Sequence, residues 1–348
     1  MLLIDGYYLD GYRGIPHYLN KIINGLNPDE MVFLCVKNTM KLPENIHKKY
    51  KVIRLPDINV IIWEQLLIPI IAYVKKAERI WSPANTFGLI FLFTSKKIIV
   101  TLHDLIFFEK YSLNTHYFQK IGVLYRRFIW SFYKWFNNID IISVSETTKK
   151  ELENKFGLES KVIYHGVDLP QYQKERNRNL DSLPDSFCFH LGSISPSKGT
   201  EIALDEFSKC AQLIKKGWKC IVVGKLYEAD FFNKYKNNNA FIFYEYVSGS
   251  DLQFLYKHCK LFLSTSIKEG FGFGPLEAII SGAPTLVLKS EIADEILGNI
   301  GFPTVPKQLF SDKIQELVLK NSHNDFSEAC MNYYQWSKSV EKHHSILF

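Results

Sequence analysis

Lys268-Glu269-Gly270-Phe271-Gly272-Phe273-Gly274-Pro275-Leu276-Glu277-Ala278-Ile279-Ile280-Ser281-Gly282-Ala283-Pro284-Thr285 is the stretch on which the rest of the chain turns. A carboxylate opens it, glycines follow at 270, 272 and 274, and a second carboxylate arrives as an apolar run begins. Glycine lets the backbone take positive φ and approach a bound group without a Cβ in the way. Proline suits the start of a helix, where amides lack internal partners. Those amides, backed by the helix dipole, attract negative oxygen. The pattern predicts a helix from Pro275 to about Ser281, with Glu277 in its first turn and Glu269 across the glycine loop. Two acceptor side chains would flank a patch of backbone donors, a layout suited to sugar hydroxyls and a diphosphate. A solvated loop with a dipole-stabilising glutamate is the competing account of the same residues.

Outward from this loop, short apolar strands alternate with amphipathic helices along both halves of the chain. In the first half, Leu2-Leu3-Ile4 leads through Gly6, Gly11 and Gly14 to a helix with Ile15, Leu19, Ile22, Ile23 and Leu26 at helical spacing. Strands are expected at Met31 to Val36, Val52 to Leu55, and Lys97 to Leu105, the last ending in His103-Asp104. A helix over 60–74 would place Trp63, Leu66, Leu67, Ile70, Ile71 and Val74 on one stripe. A second, over 117–136, would pack Phe118, Ile121, Tyr125, Phe128, Ile129, Phe132, Trp135 and Phe136 on a sheet. Val123, Trp130 and Tyr133 fall off that stripe among Lys120, Arg126, Arg127 and Lys134; a large buried helix is the favoured account of them, and an anionic membrane surface, which would accept the same arrangement, is the alternative. Ser145 is placed to cap the helix after Asp140-Ile141-Ile142-Ser143-Val144.

The polar stretch from Leu169 to Ser186, with Pro170 and Pro184, reads as a linker. Strand, loop and helix then restart at Phe187, Ser193 and Thr200, and continue through Cys220, Phe241 and Leu252 to the glycine loop. Such alternation implies an α/β protein of two doubly wound parallel sheets facing a cleft. The expected division is 1–170, a linker at 171–185, 186–330, and a terminal helix at 331–348 returning to the first domain. A chain of 348 residues agrees with two domains.

Residues 1–168 carry 22 Lys+Arg against 16 Asp+Glu, while the remainder carries 20 against 20. The whole formal charge of +6 therefore sits in the first half and suggests an anionic surface or acceptor there. Six cysteines lack any C-x-x-C pair and read as buried or free thiols of a reducing compartment. Neither a secretory signal nor an apolar run of membrane-spanning length is expected. The first glycines do not follow G-x-G-x-x-G, which argues against a nicotinamide site.

Glu269 and Glu277, with seven residues between them that include three glycines, resemble the signature of the retaining GT-B glycosyltransferases of family 4. Leu261 to Ser266 is similar to that family's preceding strand, and Leu276 to Pro284 to its helix and turn. Further matches are Arg79 to Thr86, His103-Asp104, Val144-Ser145-Glu146, Lys161 to Asp168 and Tyr333 to Val340. The resemblance implies that Glu277 holds the ribose hydroxyls of a donor nucleotide and Glu269 the hydroxyls of the transferred sugar. It gives Lys198 the leaving diphosphate, with Gly14, Gly270, Phe271, Gly272, Phe273 and Gly274 lining the donor. His103 would meet the sugar. Where the family has a basic residue after the strand-ending glycine, here Gly192, this chain has Ser193, which can donate a hydrogen bond but no charge.

By the same resemblance the chain is expected to be a hexosyltransferase that needs neither metal nor cofactor beyond its nucleotide diphosphate sugar. Trp63-Glu64-Gln65, Ser82-Pro83-Ala84-Asn85 and His103-Asp104 are similar to mannosyltransferase-like members, making GDP-mannose the expected donor. The acceptor would be a lipid-linked or polysaccharide glycan of a bacterial surface (O-antigen or capsule). The location would be cytoplasmic or peripheral on the inner membrane face. A UDP- or dTDP-sugar donor is the alternative, as are a sugar-nucleotide epimerase and an impaired sugar-nucleotide-binding subunit. No nucleic-acid partner is expected.

Overall fold

A computed structural model describes residues 1–11, 14–113, 117–169, 180, 183–193, 195–225, 233–320 and 325–348. The expected linker at 171–185 lies almost wholly outside the described residues, as does Ile194 of the loop after Ser193. Two compact units form, Met1–Gly166 with Gln335–Phe348, and Val167–Tyr334.

The first unit is built on a seven-stranded parallel sheet, β1 (Leu2–Asp5), β2 (Val32–Lys37), β3 (Lys51–Leu55), β4 (Arg79–Ser82), β5 (Lys97–Leu102), β6 (Ile139–Ser143) and β7 (Lys161–Val162), in the order β3-β2-β1-β4-β5-β6-β7. Its central strands are covered on both faces and accordingly read as unbroken apolar runs. Leu3 and Val100 join the core on one side, with Trp63, Phe87, Ile129 and Trp130. Leu2, Ile4 and Ile99 join the other, with Leu19, Ile22, Ile23 and Leu347. The second unit has a five-stranded parallel sheet, β8 (Phe187–Leu191), β9 (Lys219–Val223), β10 (Phe241–Tyr244), β11 (Leu261–Ser264) and β12 (Thr285–Val287), ordered β10-β9-β8-β11-β12. In each sheet the strand order reverses once, between β1 and β4 and between β8 and β11. Loops leaving the carboxyl ends of those strands diverge there and open a crevice, where ligands of open α/β sheets gather.

Both long helices of the first unit differ from expectation. Residues 60–74 run as Val60–Ile62, a π-helical Trp63–Leu67, and Ile68–Val74. The stretch is apolar nearly all round, so spacing could not choose the inner face. The widened turn rotates Trp63, Ile68 and Ala72 inward and leaves Leu66, Ile70 and Val74 exposed. The second helix spans Tyr117–Ser131, with a 3-10 turn at Tyr133–Trp135. Val123 and Trp130, expected off the packed stripe, are buried, while Phe128 and Trp135 are exposed. Trp130 goes inward because its Nε1 donates to the carbonyl of Asn85 at 2.8 Å. Phe118's side chain lies outside the described residues.

Local signals elsewhere hold. Ser145 Oγ accepts from Thr148 N at 3.0 Å and starts the helix Glu146–Phe156. Ser248 and Asp251 form a reciprocal capping box ahead of Gly249–His258. The helix expected to start at Thr200 is broken into Thr200–Ser208 and Ala211–Lys215. All six cysteines are buried and free. Among the described residues no helix is long and apolar enough to cross a membrane.

Candidate functional site

In the second unit, the loops after β8 and β11 border the reversal point and carry the residues singled out above. They are stitched together by backbone. Ile267 N and Lys268 N both donate to the carbonyl of Ser197, and Thr265 Oγ1 donates to the carbonyl of Gly199 at 2.8 Å. Gly199 has φ 58°, and a Cβ there would lie 2.1 Å from the carbonyl oxygen of Thr265. No other residue fits that approach. The stitching aims Lys198 across the gap, and its Nζ meets Glu269 Oε1 at 3.0 Å. Lys198 is 35% exposed and Glu269 15%, so the pair is reachable from solvent.

Beyond Glu269, Gly272 takes φ 86° as the N-cap of the helix Phe273–Ile280. This helix begins two residues before Pro275. Glu277 therefore lies in its second turn, a correction to the expected first-turn position. Pro275 still falls among the first residues, where no backbone N–H is called for. Glu277 Oε2 accepts from the hydroxyl of Tyr256 at 3.1 Å, which fixes the carboxylate's direction. Phe271 is buried, edge-on to Phe273 and Tyr334, so its ring braces the loop and only its backbone can serve a ligand. Gly270, Gly272, Phe273 and Gly274 are partly exposed.

Ser193 follows Gly192 in a row of hydroxyls, its Oγ 3.4 Å from Ser195 Oγ, which lies 3.1 Å from Ser197 Oγ. Its carbonyl accepts from Thr200 Oγ1 at 2.9 Å. That same hydroxyl is 3.0 Å from Nε2 of His190, whose Nδ1 donates to the carbonyl of Leu263. Burial holds His190 down to about 4, so its imidazole is neutral. The single proton of Thr200 Oγ1 thus lies between two acceptors, the Ser193 carbonyl on the loop after β8 and the imidazole that is bonded to β11.

In the first unit, the carboxyl ends of β1, β4 and β5 converge on a different chemistry. Gly14, with φ 61°, caps the helix Ile15–Gly25, and a Cβ added there would meet nothing within 4 Å. His103 Nε2 donates to the carbonyl of Pro83 at 2.8 Å, and its backbone N donates to Asn85 Oδ1 at 2.6 Å. Its ring lies 5.7 Å from that of His165, stacked, and 5.0 Å from Tyr18. Behind it runs a chain of hydroxyls whose proton directions are fixed at one end. His343 Nδ1 donates to Ser339 O at 2.7 Å, so its Nε2 must accept from Tyr18 Oη, also at 2.7 Å. Tyr18 Oη then takes the proton of Thr101 Oγ1 at 3.0 Å, and Thr101 accepts from Trp81 Nε1 at 3.1 Å. Burial pushes His103 and His343 down to about 4 and His165 well below its ordinary value. Three neutral rings result.

Two buried acids lie nearby, at the reversal point of this sheet. Asp5, at the end of β1, accepts from Trp63 Nε1 at 2.8 Å and from Tyr7 N at 2.9 Å. Glu64, on the π-helical turn, accepts from Thr86 Oγ1 at 2.8 Å and Tyr125 Oη at 2.6 Å. Burial raises Asp5 to about 6 and Glu64 to about 8, against the pull of their donors. Glu64 therefore clamps the loop at 83–86, which in turn holds His103. Nothing in the sequence singles out Asp5, Tyr18, Thr86, Tyr125 or His343, because contacts spanning tens to hundreds of residues leave no local spacing to find.

The model of the group 1 glycosyl transferases matches residues 171–333, and that of glycosyltransferase family 4 matches residues 72–171. A serotype-specific mannosyltransferase WbdA of Escherichia coli is 26% identical over 167 residues, covering 46% of this chain and 20% of the relative. The chain thus spans about a fifth of the length of that relative. Among solved structures, WaaG, a glycosyltransferase involved in lipopolysaccharide biosynthesis, superposes with a TM-score of 0.71 at 14% identity, over 100% of this chain and 99% of its own. HepE of Anabaena, in complex with UDP, gives 0.66 at 18% identity, over 99% of this chain and 98% of its own. The two family matches run on from one another over residues 72–333, both sheets are parallel with one reversal each, and the chain belongs to the group 1 glycosyltransferases of family 4, which have the GT-B fold.

Proposed function

We propose that this glycosyltransferase moves a hexose, mannose from GDP-mannose as first candidate, onto a lipid-linked or polysaccharide glycan of a bacterial surface. The observation that carries the site is the Lys198–Glu269 pair, held between two stitched loops beside the amino end of the helix Phe273–Ile280. Transfer breaks the anomeric C–O bond while negative charge collects on the departing diphosphate. Preorganised donors aimed at that charge supply a few kcal/mol each. A diphosphate gives Lys198 a second anionic partner, and the amides at 272–274 lie where the dipole favours the same charge. Glu269, released from sole engagement with Lys198, accepts hydroxyls of the sugar. Glu277 accepts those of the ribose. His103 is neutral with Nε2 committed to Pro83, so its part is to shape the sugar's surroundings rather than to shuttle protons. Attack on the same face as departure, with the donor phosphate taking the acceptor's proton, needs no enzymic nucleophile. No metal or cofactor enters this scheme.

The E. coli relatives named as mannosyltransferases support the mannose assignment. The UDP in the HepE structure supports the runner-up, a UDP-sugar. A thermal-shift panel of GDP-, UDP- and dTDP-sugars, followed by product analysis, decides between them. Stabilisation by GDP-mannose is expected, and no stabilisation by any guanosine nucleotide would remove it.

A further inference from the structure

His190 sits in the middle of the second sheet, and the chemistry described so far makes no use of it. We infer that His190, acting through Thr200, is a positioning residue for Lys198, the imidazole forming the floor on which the stem of that lysine is seated. This role rests on the reading proposed above, in which Lys198 holds the leaving diphosphate.

β8 is the central strand of its sheet, and its side chains alternate between apolar layers. Cys188 joins Leu204, Phe207, Cys220 and Val222 on one side, while Phe187 and Phe189 join Val223, Leu252 and Phe262 on the other. His190 follows Cys188 by two residues and points to the first side, where it is 1% exposed. An aliphatic residue would suit such a place better, because a buried imidazole is tolerated only with both nitrogens bonded. Both are bonded, and their partners belong to the site rather than to the core. Nδ1 donates to the carbonyl of Leu263, the register partner on β11, at 2.9 Å. Nε2 takes a share of the Thr200 hydroxyl proton at 3.0 Å, the other share going to the Ser193 carbonyl. Thr200 opens the helix Thr200–Ser208 directly after Lys198 and Gly199.

Above the ring the chain has no room to spare. A Cβ added at Gly192 would lie 3.0 Å from His190 Nε2, 3.3 Å from Cβ of Lys198 and 3.4 Å from Thr200 Oγ1. Imidazole, lysine stem and hydroxyl therefore close together around one glycine. Beside β9 the turn is stopped as well, since a Cβ at Gly224 would lie 2.2 Å from the carbonyl oxygen of Gly192. Backbone bonds from Ile267 and Lys268 to Ser197 fix the main chain before Lys198, but they leave its side chain to choose among rotamers. The contact with Gly192 and the hydroxyl held by His190 narrow that choice at the first carbon of the side chain. Each torsion of a lysine settled beforehand is entropy that need not be lost when the ammonium meets an anion. Ring size selects histidine for this, because one nitrogen stays level with the strand for Leu263 while the other reaches out to the helix. Asparagine supplies the first contact only, and leucine neither.

The test is a double-mutant cycle on the full chain, read by calorimetry with GDP, UDP and dTDP, so that it does not depend on which base the donor carries. For the nucleotide that wild type binds most tightly, Thr200→Val should weaken binding by about three- to tenfold, as for a lost hydrogen bond. Thr200→Ser, which keeps the hydroxyl, should bind like wild type. His190→Asn, which keeps only the Leu263 contact, should repeat the loss. The decisive quantity is the effect of Thr200→Val in a Lys198→Ala background, expected to shrink to less than about twofold because the seat then has no occupant. A general loosening of the fold would persist there unchanged. Thermal melts show whether each variant is folded, and should His190→Asn not fold, the Thr200 and Lys198 variants close the cycle without it. Binding by Thr200→Val equal to wild type overturns the role of His190, as does a loss that Thr200→Ser does not repair or that Lys198→Ala leaves undiminished. Lys198→Ala binding as tightly as wild type, or wild type binding none of the nucleotides, overturns the diphosphate reading as well, so the two fail distinguishably.

Discussion

Each sheet of this glycosyltransferase has ionisable side chains where its strand order reverses, and the two sets are treated in opposite ways. Around β1, β4 and β5, burial drives Glu64, His103, His165 and His343 toward their uncharged forms, and it raises Asp5 to about 6 against the donors Tyr7 N and Trp63 Nε1. Around β8 and β11, Lys198 and Glu269 remain a partly solvated ion pair. A buried, extensively bonded network resists rearrangement, since a group freed inside a protein leaves its partner unsatisfied. A partly solvated ion pair can exchange partners at less cost. The first set is therefore framework, and the second is where, on the proposed function, charge would be handed to a substrate.

The largest expected effect tests that division directly. Lys198→Ala and Glu269→Ala should each lower transfer by about 100- to 1,000-fold, the loss of a contact to developing charge. Their melting midpoints should stay within about 2 °C of wild type, because a partly solvated pair contributes about 1 kcal/mol or less. Activity and melting temperature falling together would place the pair in the framework instead. Glu277→Ala comes next, with donor-nucleotide affinity expected to drop about 10- to 100-fold by calorimetry, as for a lost charged hydrogen bond. An unchanged affinity would remove the ribose assignment.

The framework should betray itself through pH. Histidines whose folded values are depressed bind protons in the unfolded chain before they do so in the folded one. Stability should therefore decline as pH falls from about 6.5 toward 4. Glu64 acts in the other direction, since its raised value makes the folded chain hold a proton that the unfolded chain has lost, and stability declines as pH rises from 4.5 through about 8. Glu64→Gln, read by denaturation at about pH 9, should melt higher relative to wild type than it does at about pH 5. His343→Gln should flatten the acid limb. If neither limb moves, the burial argument for the first unit fails. The smallest effect is expected of Ser193→Arg, which adds a charge on the loop after β8 and on the proposed function should tighten donor binding by less than about tenfold.

Much of the fold is legible in the residues themselves. Alternating strands and helices, the glycine loop, and the Ser145 cap are local patterns, and local patterns survive folding. The glycine loop predicts a helix of nearly the right length, but the start slips by two residues because Gly272 serves as the cap, and that moves Glu277 into the second turn. Orientation is harder. Residues 60–74 are apolar on nearly every side, so nothing in their spacing announces the π-helical turn that brings Glu64 inward, and Trp130 departs from its expected face because its partner is the carbonyl of Asn85. Least legible is the hydrogen-bonded path through Trp81, Thr101, Tyr18 and His343, whose members have no periodic relation.

That path also bears on the order in which the protein assembles. Residues 1–166 leave the ribosome ahead of the second unit, yet Tyr18 and the sheet beneath it find their last partners only when the helix Trp336–Leu347 has been made. The half translated earlier is thus completed later, with the other half free to fold in the interval.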